Sequence, residues 1–584
     1  MKQTSRSSIS PALPLLPQAR FIAFAACALT LVLALRLWSR SQSEFFFEDA
    51  YMFFRYAIHL HHGIGISWNP GGPHTFGLTS LPWLVVVWLG TFVSSTPMHL
   101  LPSLSITVGM VALFLLALLF SRRARSLWLR HVEITFPLVA LPLLFTHGFD
   151  TSISNGMETM LGLLLITLFL DGTLRFIDHP DIPHSLTLAL LAFLAVLTRP
   201  EAIIPVTLTA VCTLPLLPRS RRVAPLAVFF AVLASLLAAD LLINRWYFGS
   251  PVPLAFFIKA VHGYDDYVWL LNPFAANLTF FAMASLAITA IVLFAHRRHL
   301  GLLLLFLLPL AAILLYLLTV LQIMGLGARY YVPFLPFLLF PALLLTDEAF
   351  ASTHLPDQAS DPSPIRSSLP LSFPRLAAVA VALILSNAQY AEHFFGPLGT
   401  VLARGHRVWD PPVFAIDADQ QLPKFPDLWV SYRAVARIAA HLPPSSHIAL
   451  TEVGIVGASA PEIHMLDMAG LNDAFLARHH FDVDYIFNQQ PDVIWLPNTD
   501  YTRSYGIFCS DPRLLRDYTV FANAFLFGVA VRKQSLLYDQ ILATLQPEFA
   551  KLYPGIDMSR HQVRSVTWNP LPTHTVNSLH TVEP

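Results

Sequence analysis

The chain has 584 residues, of which 55% are hydrophobic and only 12% are charged. Soluble globular proteins carry about twice that charged fraction, so the composition excludes an ordinary soluble enzyme. The formal net charge is zero, which gives no basis for nucleic-acid binding. We therefore expect a polytopic α-helical membrane protein, with membrane lipid as a partner and no nucleic acid.

The apolar residues fall in blocks long enough to cross a hydrocarbon core of about 30 Å. The basic N-terminal tail, residues 1–20, leads into a block without the small-residue ending of a cleaved signal. The apolar piece 81–93 is too short to cross and predicts an interfacial or re-entrant helix. We predict eleven spans: 21–38, 100–120, 132–149, 157–176, 184–198, 201–217, 223–247, 271–295, 300–321, 330–346 and 375–391.

Three basic clusters, at residues 122–125, 219–222 and 296–299, set the predicted orientation. The positive-inside rule places all three clusters in the cytoplasm. With eleven spans, the N-terminus is then cytoplasmic and the C-terminus is outside. We expect the chain to lie in a bacterial cytoplasmic membrane.

The predicted domains follow from this count. Residues 21–393 form the membrane domain, with a first outer loop at 39–99 and a cytoplasmic linker at 347–374 that is rich in Pro, Ser and Asp. Residues 394–584 are less apolar and mix strand-like with helical runs, which predicts an extracytoplasmic α/β domain.

Charged side chains gather on the predicted outer face. Acidic residues at a membrane surface are costly to bury and repelled by anionic lipid, so they usually serve a purpose. The cations suit a phosphate, and the carboxylates suit proton transfer or a divalent cation. Five loops contribute: Glu48, Asp49 and Arg55; Asp150 and Glu158; Arg199 and Glu201; Arg245 and Lys259; Arg329 and Tyr330. We predict that they meet in one polar cavity around Asp49.

Seven motifs occur in a characteristic order. They are E-D-A-Y-x-x-x-R-Y-A (48–57), W-N-P-G (68–71), G-x-T-S-L-P-W (77–83), N-G-M-E-T (155–159), L-T-R-P-E (197–201), Y-F-G-S-P-V-P (247–253) and R-Y-Y-V-P-F-L-P (329–336). Together they resemble the bacterial GT-C membrane glycosyltransferases, most closely the arabinofuranosyltransferase-like branch. The runs V-G-I-V-G-A (453–458) and H-M-L-D-M-A-G-L-N-D (464–473) resemble the extracytoplasmic domain of that group. The similarity covers about residues 45 to 480.

The resemblance implies a sugar donor linked to polyprenyl phosphate and an acceptor hydroxyl on a glycan or glycolipid. It assigns the role of general base to Asp49. The group usually has two aspartates where this chain has Glu48-Asp49, so Glu48 is interpreted as a helper. The chemistry also requires cations on the leaving phosphate, and arginine suits this best.

The phosphate ligands are predicted to be Arg199 and Arg329, with Lys259 and Arg55 as second choices. No resident cofactor is predicted, although a divalent cation remains an option, and the histidines at 59, 61 and 62 suit a wet loop better than a metal site. Further substrate-binding candidates complete the predicted site: Asn69, Glu158, Glu201 and Tyr330.

Each assignment has an ordinary alternative. Asp49 is also a candidate cap of the helix that follows it, and Glu158 a favourable contact with a helix dipole. Arg199 is also a candidate membrane anchor paired with Glu201. Asp467 and Asp473 suit structural turns better than acceptor contacts. At the level of the whole protein, a transporter or flippase and a whole-glycan ligase for polyprenyl-linked glycans remain alternatives.

Overall fold

The computed structural model describes residues 17–44, 47–218, 223–260, 271–320, 322, 326–352, 412–422, 428–499 and 501–568. The chain divides into two compact units. The first unit comprises residues 1–45, 98–238 and 270–396, and the second comprises 46–97, 239–269 and 397–584. Residues 46–97 thus belong to the second unit, although the sequence analysis grouped them with the membrane spans. The predicted boundary at residue 394 lies outside the described residues.

Helices dominate the chain up to residue 352. Of these, α2, α3 and α11 belong to the second unit, and α10 extends across the division between the units. The helices are α1 (Pro17–Glu44), α2 (Glu48–His61), α3 (Leu81–Thr91), α4 (Pro97–Ser121), α5 (Val132–Leu144), α6 (His147–Ser154), α7 (Thr159–Asp178), α8 (Ile182–Thr198), α9 (Ile203–Cys212), α10 (Val223–Phe248), α11 (Leu254–Ala260), α12 (Leu271–Met283), α13 (Ser285–Phe294), α14 (Leu300–Leu317) and α15 (Pro336–Ser352).

Six helices are long and apolar enough to cross a membrane: α1, α4, α7, α10, α14 and α15. The number rises to eight if each of two bent helix pairs counts as one span. This confirms a multi-pass helical membrane protein. The count of eleven stays a prediction, because α8 and α9 are shorter apolar helices and residues 375–391 lie outside the described part.

Two predicted spans are bent in the structure. Residues 132–149 divide into α5 and α6, whose axes differ by 98°, and residues 271–295 divide into α12 and α13, at 62°. At the first break Thr146 has extended backbone angles, φ −96° and ψ 133°. At the second, Ala284 has φ −89° and ψ 6° and leaves the helical region. The hydrophobic pattern alone does not mark either break.

The apolar core of the first unit is built around α7. Phe169 of α7 is fully buried with Leu188 of α8, Leu305 of α14 and Phe337 of α15 in one continuous hydrophobic cluster. Between membrane helices the alternative to this packing is contact with lipid, so close van der Waals packing of these side chains, and not their removal from water, stabilises the arrangement. The packing fixes the ends of these helices relative to one another, and the charged side chains lie at those ends.

The C-terminal end of α7 carries one set of charges. Asp171 accepts hydrogen bonds from Arg123 Nε at 2.9 Å and from Arg175 Nε at 2.7 Å. Asp347, near the end of α15, accepts from the backbone N–H groups of Arg125 and Ser126, both at 2.8 Å. The basic cluster at 122–125 therefore lies at this end of the first unit. Arg123 Nη1 also lies 3.3 Å from Oδ2 of Asp178, the last residue of α7, which is about 30 Å along the helix from its N-terminus.

The second unit contains a five-stranded sheet in the order β3-β2-β4-β6-β5 and a two-stranded sheet of β1 and β7. Strand β2 pairs in parallel with β3 and β4, whereas β6 is antiparallel to β4 and β5. The strands are β1 (Val413–Ala415), β2 (His447–Leu450), β3 (His464–Asp467), β4 (Val493–Trp495), β5 (Tyr518–Ala522), β6 (Gly528–Arg532) and β7 (Ser565–Thr567). This confirms the predicted mixed α/β region.

The helices of the C-terminal region connect and flank these strands. They are α16 (Leu428–His441), α17 (Gly454–Ser459), α18 (Ala474–His479), α19 (Val483–Asn488), α20 (Thr502–Ser510), α21 (Pro512–Asp517) and α22 (Tyr538–Leu552). The short helix α17 follows the C-terminal end of parallel strand β2. Ligands and functional groups commonly collect at this edge of such sheets.

Candidate functional site

In the first unit, the predicted phosphate ligand Arg199 lies in a buried ionic cluster. Pro200 disfavours a helical conformation in the residue before it, and Arg199 is extended, with φ −144° and ψ 107°. Its side chain is only 4% exposed. Arg199 Nη1 donates to Glu158 Oε1 at 2.9 Å, and Nε and Nη2 both lie 2.7 Å from Glu201 Oε1.

Glu158 reaches this cluster from the N-terminus of α7, where a carboxylate is favoured by the helix dipole. The preceding turn uses Gly156 at φ +68°. Asn155 braces the turn, because its Oδ1 accepts from the backbone N–H of Met157 at 2.9 Å. The ordinary interpretation of Glu158 as a dipole contact is therefore compatible with its ion pair to Arg199.

Arg329 is placed by close packing of the segment before it against α6. Gly327 has φ +64°, and a Cβ atom there would lie 2.8 Å from the Gly148 carbonyl oxygen. Ser152 Oγ donates to the Gly327 carbonyl at 2.8 Å. The segment therefore requires glycine at 327, and it buries Arg329 to 3% exposure.

The Tyr330 ring lies close to both arginines. The guanidinium carbon of Arg199 is 5.0 Å from the ring centroid and that of Arg329 is 4.9 Å away, both within cation–π range. Arg329 Nη2 also donates to the Tyr330 hydroxyl at 3.2 Å. We call this group of five residues the Arg199 cluster: Glu158, Arg199, Glu201, Arg329 and Tyr330.

The two arginines and two glutamates of the Arg199 cluster balance in formal charge. Glu158 is 5% exposed, and its Oε2 has no hydrogen-bond partner among the described residues. A buried acceptor without a donor costs about 1–3 kcal/mol. The cluster therefore has acceptor capacity for one further donor, such as a hydroxyl group.

The Asp150 carboxylate contacts α1. Its Oδ2 lies 3.2 Å from Arg40 Nη1, near the end of α1. The Arg40 side chain is 57% exposed, so this pair contributes little to stability.

In the second unit, Asp49 lies in the first turn of α2. That helix begins at Glu48 with Phe47 in the N-cap position, so Asp49 does not occupy the capping position that its ordinary interpretation required. Asp49 is partly buried, unlike its fully enclosed neighbour Glu48.

Glu48 is committed to a contact within the protein. Its Oε1 accepts from the backbone N–H of Ile455, at the start of α17, at 3.0 Å. Burial raises the pKa of Glu48 well above its ordinary value, and the negative charges of Glu452 and Asp49 raise it further. Two adjacent carboxyl groups thus have different environments, which is the usual basis for different acid–base roles.

The prediction that Arg55 binds substrate is not supported by its contacts. The side chain is fully buried. Its nitrogens donate to four carbonyl oxygens, those of Trp68, Gly457, Ala460 and Ile463, at 2.8 to 3.0 Å. Because its donors are used within the protein, Arg55 is not carried forward as a phosphate ligand.

Asn69 is likewise held by the protein. Its Nδ2 donates to the Met465 carbonyl at 3.0 Å, and its Oδ1 accepts from the Met465 N–H at 2.8 Å. The amide therefore pairs with the backbone of β3, and the predicted substrate contact of Asn69 is not carried forward either.

Asp467 and Asp473 have the structural roles that the sequence favoured. Asp467 accepts from the Ala469 N–H at 2.9 Å and from both nitrogens of Asn472 at 2.8 Å. Tyr56 of α2 donates to Asn472 Oδ1 at 2.9 Å. Asp473 is the N-cap of α18. Sequence reasoning missed Asn472 and Glu452; the only signal was their position after the parallel strands β3 and β2.

The remaining expectations have different outcomes. The side chain of Lys259, on α11, lies outside the described part of the chain. Within the ranges that the structure describes, no group of three or more His, Cys, Asp or Glu residues is arranged to hold a metal ion. Three of the five charged loops belong to the first unit and two to the second. Their convergence around Asp49 stays a prediction.

Comparison with known proteins finds a matching family model and similar solved structures. Residues 417–539 match a family model described as a domain of unknown function (DUF8728). The crystal structure of ArnT from Cupriavidus metallidurans bound to undecaprenyl phosphate is similar at 14% identity and a TM-score of 0.46, covering 87% of this chain and 98% of that one. No curated protein matches the chain. These values assign neither a family nor an activity.

Proposed function

We propose that the protein is a membrane glycosyltransferase that moves a sugar from polyprenyl phosphate to a hydroxyl group of a glycan or glycolipid. The observation that carries the proposal is the Arg199 cluster. Two arginines from separate motifs, 130 positions apart in the chain, lie on one tyrosine ring beside two glutamates. The ordered motifs support the same reaction class through their resemblance to GT-C enzymes.

In the proposed reaction, the acceptor oxygen forms a bond to the anomeric carbon while the bond from that carbon to the phosphate oxygen breaks. The electron pair leaves with the phosphate, which remains on the prenyl chain. Asp49 takes the proton of the acceptor hydroxyl as general base, a role that contributes about 10²–10⁴ in rate. Glu48 is buried and its Oε1 already accepts from the backbone N–H of Ile455, so it is less suited to that role.

Arg329 is the proposed phosphate ligand, and Arg199 is proposed to have a positioning role. Arg199 is already paired with Glu158 and Glu201, so we assign it to holding Tyr330 and Glu158 in place. Glu158 Oε2 is proposed to accept a hydrogen bond from a hydroxyl group of the sugar. Sugars present such donors at every ring carbon that bears a free hydroxyl.

The proposal also includes the number of membrane crossings and the side on which each terminus lies. The chain crosses the bacterial cytoplasmic membrane eleven times, its N-terminus is cytoplasmic, and its C-terminal α/β domain is extracytoplasmic. Within the first unit, Arg123 of the basic cluster pairs with Asp178 at the C-terminal end of α7, and the Arg199 cluster lies at the N-terminus of α7, about one hydrocarbon thickness away. This supports a site at the face opposite the basic clusters.

The test is release of free polyprenyl phosphate by the purified full-length protein, from a panel of polyprenyl-phosphoryl pentoses and hexoses supplied together with an extract of cell-envelope glycans and glycolipids as acceptors. We expect Asp49→Asn to lower kcat about 100-fold or more. The control Asp150→Asn removes a carboxylate that pairs with the half-exposed Arg40, and it should keep near-normal activity. Asp49→Asn with normal kcat would remove the base assignment.

The same assay separates the alternatives. A flippase keeps the sugar–phosphate bond intact, so it moves the donor between leaflets and releases no polyprenyl phosphate. A whole-glycan ligase releases the phosphate only from donors that carry an assembled glycan. The proposed function would be contradicted if the wild-type protein cleaved none of the single-sugar donors.

A further inference from the structure

The helix that carries Asp49 contains an unusual number of buried polar side chains. In α2, Glu48 is 6% exposed, Arg55 and Tyr56 are fully buried, and His59 is 1% exposed. Burying such groups is unfavourable unless each finds hydrogen-bond partners. The partners of α2 therefore determine what this helix is built to contact.

Glu48 and Arg55 contact the two ends of one short helix, α17. The Glu48 carboxylate accepts from the Ile455 N–H at the N-terminal end of α17. Arg55 Nη1 donates to the carbonyls of Gly457 and Ala460 at its C-terminal end, at 3.0 and 2.9 Å. Helix ends leave these backbone groups without partners inside the helix. The helix dipole favours an acidic side chain at the N-terminal end and a positively charged side chain at the C-terminal end.

The spacing of the two helices agrees with this arrangement. Glu48 and Arg55 are seven residues apart in α2, a rise of about 10 Å. The helix α17 has six residues, or about 9 Å. The two helices lie in close contact at Gly454, where an added Cβ would collide with the carbonyl oxygen and carboxylate of Glu48.

The loop after α2 adds contacts to the neighbouring strand. Trp68 Nε1 donates to the Met465 carbonyl of β3 at 3.2 Å, and Asn69 pairs with both backbone groups of the same residue. Strand β3 is at the edge of the five-stranded sheet, so these side chains satisfy backbone groups that have no strand partner there. Arg55 also lies over the Trp68 ring, 4.7 Å from its centroid.

All these partners belong to the region 417–539 that matches a domain of unknown function. We infer that this domain serves as a clamp that positions the acidic N-terminal turn of α2, with Arg55 as its principal positioning residue. This inference rests on the proposed function only for its catalytic consequence. The mechanical part, that the domain immobilises the turn bearing Asp49, stands on the contacts alone.

Amide hydrogen exchange on the full-length protein tests the clamp without reference to activity. Arg55→Met keeps much of the side-chain stem but removes the donors to Gly457 and Ala460. We expect the amides of 48–57 and 454–460 to exchange at least tenfold faster, with the amides of α7 unchanged. Arg55→Lys, which restores charge and some donors, should recover part of the protection.

Two further variants distinguish a local loss of the clamp from misfolding of the whole protein. Gly454→Ala should loosen the same two segments by steric conflict while leaving Arg55 in place. Arg516→Met is the matched control, because this arginine is 68% exposed and pairs with Asp517 at the surface. Unchanged exchange at 48–57 in both Arg55→Met and Gly454→Ala would overturn the clamp.

Kinetics then separate the clamp from the proposed function. In an active wild-type protein, Arg55→Lys should lower kcat about tenfold and change the KM for the polyprenyl-phosphoryl donor less than twofold. Faster amide exchange at 48–57 with an unchanged kcat would overturn the positioning role. A wild-type protein that transfers no sugar would contradict the proposed function, and the exchange data would still decide whether the domain holds α2.

Discussion

Arg199 and Glu158 form a buried ion pair, with 2.9 Å between Nη1 and Oε1 and side chains only 4% and 7% exposed. Arg199 also contacts Glu201, so one cation is shared by two carboxylates, one at the N-terminus of α7 and the other between α8 and α9. Removing one member of a buried pair leaves a charge without full compensation, which costs more than the pair itself contributes. The Arg199 cluster is therefore sensitive to single substitutions.

Glu158→Ala should destabilise the protein by about 3 kcal/mol, because Arg199 would keep only Glu201 as a counter-ion in a buried site. The measurement is urea unfolding of the detergent-solubilised full-length chain. Glu133→Ala is the control, since its carboxylate is 47% exposed and pairs with His131 near the surface. Equal stability of the two variants would show that the ion pair does not hold the helix ends.

Tyr330→Leu should raise the KM for the polyprenyl-phosphoryl donor about tenfold. The substitution removes the ring that lies beside Arg199 and Arg329, a contact worth up to about 2 kcal/mol when desolvated. Tyr330→Phe keeps the ring and loses only the 3.2 Å hydrogen bond from Arg329, so its KM should change less than threefold. An equal rise in KM for Tyr330→Phe and Tyr330→Leu would assign the role to the hydroxyl instead.

The sequence predicted the Arg199 cluster better than the surroundings of Asp49. Pro200 and Gly327 constrain the backbone locally, and the motifs that contain them brought five predicted residues together. The contacts of Arg55 and Asn69 were not predicted, because their partners lie about 400 positions away. Nothing in the local pattern distinguishes an arginine that will meet a phosphate from one that will meet a helix end.

The bent spans illustrate the same limit. An apolar run of 18 residues satisfies the length of a membrane crossing whether it continues straight or turns by 98° after α5. The turn is stabilised by tertiary contacts of α6, such as the Ser152 hydrogen bond to Gly327. Hydropathy therefore predicted the membrane class correctly but neither of the bends.

The predicted topology places His147, near the outer end of the predicted span 132–149, and His296, just after the span 271–295, at opposite faces of the membrane. Both side chains are exposed, one at the start of α6 and the other after α13, in the basic cluster at 296–299. In a background without Cys27, Cys212 and Cys509, His147→Cys should react with a membrane-impermeant maleimide in intact cells. His296→Cys should react only after the membrane is opened. Labelling of both from one side would contradict the orientation.

The second unit should lose stability as the pH rises through the range in which Asp467 titrates. Burial raises the pKa of Asp467 to about 7, from an ordinary value of 3.8, although its hydrogen bonds from Asn472 oppose the rise. Between these values the folded state holds a proton that the unfolded state releases, so the free energy of unfolding falls with increasing pH. The slope is at most about 1.4 kcal/mol per pH unit and vanishes above the folded pKa.

The measurement is the urea midpoint of the second unit between pH 4.5 and 8. The unfolded fraction is read from the labelling of Cys509, which is buried in the folded protein, during a brief pulse at one common pH. Asp467→Asn should be less stable throughout, because its NH₂ group faces N–H donors, but the difference from wild type should shrink as the pH rises. Asp419→Asn is a control of opposite sign. The pKa of Asp419 is lowered, first by its hydrogen bond from Gln420, so its contribution is lost as the pH falls. A wild-type and Asp467→Asn pair with parallel pH profiles would show that Asp467 stays ionised throughout this range.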